Sequence, residues 1–129
     1  MKLLVIDFET KDPYITRKLG AGWAFGYNVT NHDFKVLGAA LKTHDNKIYY
    51  ETNLNNILDV VKNHDTLLAH NASYELGCLH FLLKHCNRKD IDLKSYKILD
   101  TKLLFKLHNS ALLSYTLDSL AKKYLKIDK

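Results

Sequence analysis

At 129 residues the chain is the size of one domain, and with 47% apolar residues it can bury an ordinary core. No apolar run reaches the roughly 18 residues a membrane-spanning helix needs, and Met1-Lys2-Leu3-Leu4-Val5-Ile6-Asp7 is too short and too soon charged for a signal-peptide core. The net charge of +5 is uneven: residues 1–83 carry 8 Lys/Arg against 9 Asp/Glu, and residues 84–129 carry 11 against 5.

A basic half suits a phosphate backbone, and it equally suits a lysine-rich solvated surface. A cytosolic protein is expected. Cys78 and Cys86 fall in one predicted helix, two turns and roughly 12 Å apart, too far for a disulfide. Both are expected to be reduced core residues.

Residues 2–8 form a mostly apolar run leading into Asp7-Phe8-Glu9-Thr10, which predicts a buried strand. Residues 11–33 lack periodicity and carry Pro13, Gly20, Gly22 and Gly26, so a long loop is expected there. Residues 34–43 and 47–51 are β-rich around a polar turn at His44-Asp45-Asn46, a hairpin pattern. Leu54, Ile57, Leu58 and Val61 have helical spacing within 54–63. Residues 66–70 predict a short strand, and Asn71 is placed to N-cap a helix over 72–86. Lys97-Ile98-Leu99-Asp100 predicts another strand, and Leu103, Leu104 and Leu107 a helix after it. Ser114 is placed to cap a last helix carrying Leu117, Leu120, Ala121 and Tyr124. The fold class is α/β, with a mixed central sheet flanked by helices.

Side chains alternate along a strand, so Asp7 and Glu9 share a face with Leu3 and Val5. Two carboxylates therefore stand together at the carboxyl end of a strand, where ligand sites of α/β sheets gather. They repel unless a cation or protons offset them. A strand that simply reaches the surface shows the same pattern. Glu75 heads the stripe Glu75, Leu79, Leu82, Leu83 and Cys86, which has the spacing of a core-facing helix side. A carboxylate there needs a partner, since the helix dipole supplies only about 1 kcal/mol. Alternatively, Glu75 bends back to solvent. Three carboxylates are hard oxygen ligands, suited to Mg²⁺ or Mn²⁺. His80 and His85 lack a matching cysteine pair for zinc. Gly20-Ala21-Gly22 is not followed by a helix pattern, so no dinucleotide loop is present.

Val5-Ile6-Asp7-Phe8-Glu9-Thr10 resembles the first motif of the DEDD 3′→5′ exonucleases. His70-Asn71-Ala72-Ser73-Tyr74-Glu75-Leu76 resembles the second, usually His-Asn-x-x-Phe/Tyr-Asp. Asp100-Thr101 and Ser114-x-x-Leu117-Asp118-x-Leu120-Ala121-x-x-Tyr124-Leu125 resemble the stretch beyond that second motif in the family. The resemblance covers nearly the whole chain, and Asp12-Pro13-Tyr14 and Gly20-Ala21-Gly22-Trp23 resemble proofreading domains of phage family A DNA polymerases.

The resemblance implies a ribonuclease-H-like fold, a two-metal site with Mg²⁺ or Mn²⁺, and removal of nucleotides from a single-stranded DNA 3′ end. The setting would be a bacterial or phage-infected cell, with the rest of a polymerase polypeptide as a partner. It implies that Asp7 bridges both ions and that Glu9 ligates one and orients the water. Glu75 stands in for the second aspartate. It further implies that Phe8 and Thr10 line the 3′-terminal nucleotide, that Asn71 caps the helix presenting Glu75, and that His70 and Tyr74 lie near the strand path.

Two departures stand out. Glu75 is one methylene longer than the usual Asp. The fourth acid, in Tyr-x-x-x-Asp or His-x-x-x-x-Asp, is matched only by Tyr124-x-x-x-Asp128, and Tyr124 already fits the preceding helix. The expectation is one domain, 1–129, lacking the family's final helix, with apolar surface open around Leu3 and Val5. An exonuclease-fold binding module without turnover, and a 3′→5′ exoribonuclease, are the alternatives.

Overall fold

A computed structural model describes residues 1–11, 35–108 and 116–125, apart from the Asp118 side chain. Strand β1 (Leu3–Lys11) buries Leu4, Ile6 and Phe8 and turns Asp7 and Glu9 outward. The period of two that groups the acids thus also builds the core face. Leu3 and Val5 are only half-buried, so the run is covered more fully on one side. Lys11, expected in the loop, belongs to β1; residues 12–34, which hold the rest of that predicted loop, lie outside the described residues.

Strands β2 (Lys35–Lys42) and β3 (Ile48–Glu51) form the expected hairpin. Its turn is closed by Thr43 N–H donating to Lys47 C=O (2.9 Å) and Asn46 N–H to Thr43 C=O (3.0 Å). Asn46 takes φ 67°, a left-handed conformation that asparagine tolerates.

Helix α1 (Leu54–Lys62) is capped by the Asn53 side chain, which accepts from Asn56 N–H, and buries Ile57, Leu58 and Val61. Strand β4 (Thr66–Ala69) leads to helix α2 (Ala72–His85). After a 3₁₀ turn at Leu93–Ser95 come strand β5 (Lys97–Asp100) and helix α3 (Thr101–His108). The described chain ends in a short helix α4 (Leu117–Leu120) and a π-helical turn, Ala121–Leu125. Ser114 lies outside the described residues; Thr116 Oγ1 accepts from Ser119 N–H (3.2 Å) and so caps α4.

The five strands form one mixed sheet in the order β3-β2-β1-β4-β5. β1 pairs antiparallel with β2 and parallel with β4, and β4 pairs parallel with β5. The protein is therefore α/β, with β1 in the centre of the sheet. Leu4, Ile6, Phe8, Ala39 and Leu41 from the sheet pack with Ile57, Leu58 and Val61 of α1 and Leu79 and Leu82 of α2. Neither cysteine is in a disulfide; Cys78 lies in this core and Cys86 is half-buried at the end of α2. Among the described residues, exposed apolar side chains include Ile48, in the same sheet row as Val5, Tyr50 on β3, and Leu103, Leu104 and Leu107 on α3. Among the described residues no helix is long and apolar enough to cross a membrane.

Candidate functional site

β1 outlasts its parallel neighbour. Its ladder with β4 covers only Leu3↔Thr66, Leu4↔Leu67 and Val5↔Leu68, whereas β2 follows it to Lys11↔Lys35. Past Val5, one flank of β1 is therefore without a β4 residue to pair with. A register shift between Glu9 and Thr10 marks a bulge in the β1–β2 ladder, a device that re-aims side chains at sheet ends.

The chain leaving β4 turns at Asn71 (φ 62°, ψ 60°) into α2. Asn71 sits at the N-cap position but its side chain makes no capping bond, which corrects the expected role. A left-handed residue does not aim its own side chain at the helix N–H groups as an extended N-cap does. Asp100, at the end of β5, caps α2 instead. Its Oδ1 accepts from Asn71 N–H and its Oδ2 from Ala72 N–H, both at 2.9 Å. Oδ1 also accepts from Lys102 N–H (2.9 Å), so one carboxylate holds the starts of α2 and α3 together. The sequence offers only a weak signal for this: an Asp just before a helix reads as a cap for that helix alone.

The turn brings the first turn of α2 to the open flank of β1. Glu75 is buried there, 6% exposed, and its Oε2 accepts from Phe8 N–H at 3.1 Å. Phe8 lies between Asp7 and Glu9 in the chain, so Glu75 meets the backbone beside the two exposed acids. Burial pushes the Glu75 carboxyl up to about 8; the Phe8 N–H opposes this, and the charges of Asp7 and Glu9 add to it. Glu75 does not bend back to solvent.

The remaining predicted residues fall around this point. The phenol of Tyr74 and the Thr10 hydroxyl are hydrogen-bonded across the gap between α2 and β1. His70 Nδ1 and Thr101 Oγ1 are 2.9 Å apart, and Thr101 Oγ1 donates to Ala69 C=O at 3.4 Å. His70 is thus tied to the β5–α3 junction. The Phe8 ring is part of the core, leaving its amide to serve Glu75. Asp128 lies outside the described residues.

Among the described residues no three His, Cys, Asp or Glu side chains close into a metal cage. The donor chemistry nonetheless fits a hard divalent cation. Asp7 and Glu9 are exposed, and a third, buried acid is repelled by both. All three offer oxygen, the ligand that Mg²⁺ and Mn²⁺ take. A comparison with protein-family models finds none that matches this chain, and a comparison with characterised proteins finds none that matches it either.

Proposed function

We propose that this chain is a metal-dependent 3′→5′ exonuclease domain of ribonuclease-H-like fold, acting on single-stranded DNA 3′ ends as a polymerase proofreading domain does. The observation that carries the reading is Glu75, a buried acid delivered by α2 to the amide between Asp7 and Glu9. Burying an acid beside two others is costly for folding alone. A cation bound to the three would turn that repulsion into attraction. The mixed five-stranded sheet, with its acids at the end of the central first strand, is compatible with the fold class.

In this reading Asp7 and Glu9 would hold the ions from the exposed face of β1, and Glu75 would close the site from the flank. Bound divalent ions would supply an activated water and charge stabilisation at the phosphorus. Thr10 and Tyr74, joined by their hydroxyls, would brace the entry of the 3′ terminus.

A second reading is a binding module without turnover. The Phe8 N–H bond favours it, because it gives Glu75 a purely structural task. The test is release of mononucleotides from a 3′-labelled oligodeoxynucleotide with Mg²⁺ or Mn²⁺. The proposal expects metal-dependent release that Asp7→Asn abolishes. No release, with tight binding of the oligonucleotide, would leave the binding module standing. Equal release from DNA and RNA would remove the DNA assignment.

A further inference from the structure

We infer that the outer face of β1, β2 and β3 is a shelf for single-stranded nucleic acid, on which Tyr50 stacks the base next to the carboxylates. The inference rests on the proposed exonuclease reading and adds to it a residue that positions the substrate.

Directly opposed residues of antiparallel strands point to the same side of a sheet. Asp7 pairs with Ala40 and Ala40 with Tyr50, so these three form one row across the outer face. All three are exposed, while their neighbours Ile6, Phe8, Ala39 and Leu41 point into the core. The next row sets Glu9 opposite Gly38.

Tyr50 leans from the first row into the second. A Cβ on Gly38 would stand 2.5 Å from the Tyr50 hydroxyl oxygen and 2.6 Å from Cζ. The end of the phenol therefore lies across the residue opposite Glu9, about one strand spacing, roughly 5 Å, from the β1 backbone. Between the ring and the acids the sheet carries only Ala40 and Gly38. The floor there holds no side chain larger than a methyl, and Tyr50 is 51% exposed above it.

Cations bracket this surface along the strands. Lys42, opposite Val5, lies one row to one side, and the Lys11↔Lys35 pair lies on the other. All three lysines are exposed. An open aromatic ring beside metal-binding acids, with lysines on both sides, matches what a single strand presents: stacked bases and regularly spaced phosphates. A ring laid over a strand glycine also has a structural use, since it covers the bare backbone, so the test has to separate the two uses.

The experiment measures binding of a 5′-labelled oligo-dT by fluorescence anisotropy in Ca²⁺, alongside nucleotide release in Mg²⁺. Tyr50→Leu keeps Gly38 covered but removes the π-face, and it should weaken binding by about 5- to 150-fold, the equivalent of one lost base stack. Tyr50→Phe should bind within about twofold of wild type. With the 3′-terminal nucleotide made abasic, wild type and Tyr50→Leu should bind alike, an effect that a purely structural tyrosine would not produce. Equal binding of intact oligo-dT by wild type and Tyr50→Leu would overturn the shelf while leaving the exonuclease reading intact. Equal weakening in the Phe and Leu variants would overturn stacking. A wild type that neither binds nor degrades the oligonucleotide would bring down the underlying reading as well.

Discussion

The carboxyl of Glu75 makes the metal-free protein pH-sensitive in a calculable direction. Its ordinary value is 4.5 and burial pushes it up to about 8 in the folded state. Between those values the folded chain holds a proton that the unfolded chain has released, so stability falls as pH rises from 4.5 towards 8. Below the window both states are protonated and nothing is lost; above it the folded state bears the whole penalty. At about 1.4 kcal/mol per pH unit the full span is about 5 kcal/mol. Relaxation and water entry around a buried charge bring this to about 2–4 kcal/mol. Glu75→Gln retains an oxygen for Phe8 N–H and cannot ionise. It should match wild type within about 1 kcal/mol at pH 4.5 and exceed it by about 2–4 kcal/mol at pH 9 in chelator. Urea unfolding of both proteins across that range is the assay, and their difference cancels the titration of the histidines. Saturating Mn²⁺ should reverse the order at pH 8, because wild type binds the cation through three acids and gains more from it than the variant does through two. Parallel pH profiles for wild type and Glu75→Gln in chelator would refute the reasoning.

The same geometry sets three further outcomes. Mn²⁺ should raise the melting temperature of wild type by mass action, and Asp7→Asn should abolish that rise without lowering metal-free stability; equal thermal shifts in the two proteins would dismiss the metal site. Asp100→Ala strips the acceptor from Asn71, Ala72 and Lys102 N–H groups and should cost about 2–4 kcal/mol in chemical denaturation, with early hydrogen exchange at the start of α2. A loss below about 0.5 kcal/mol would mean that water replaces the cap. Gly38→Ala should destabilise by about 1–3 kcal/mol, because the added carbon meets the backbone oxygen of Glu51 at 2.7 Å as well as the Tyr50 ring; Gly38→Ala in a Tyr50→Leu background should recover only the part due to the ring.

Local pattern determined a good deal of this protein. The alternation of Leu4, Ile6 and Phe8 with Asp7 and Glu9 predicted both a core face and a shared face for the acids, since period two is a property of any strand. Helical spacing likewise placed Glu75 on the stripe with Leu79 and Leu82, and all three are buried. The hairpin was legible from its polar turn, and the order of elements from short runs of periodic residues. Each of these signals lies within about a dozen residues, the range over which backbone periodicity speaks.

Tertiary structure alone decided what meets at the site. Glu75 reaches Phe8 because β4 stops short of the end of β1, and no local pattern records where a partner strand ends. Asp100 displaces Asn71 as the cap of α2 because Asn71 turns left-handed and β5 lands alongside, 28 residues away from Ala72 in the chain. Tyr50 lies over Gly38, opposite Glu9, through two strand registers acting in series, and a slip of one residue in either would turn it to the other face. Pairings of this kind are set by the joint burial of the whole core, which is why they belong to the fold and not to any stretch of sequence.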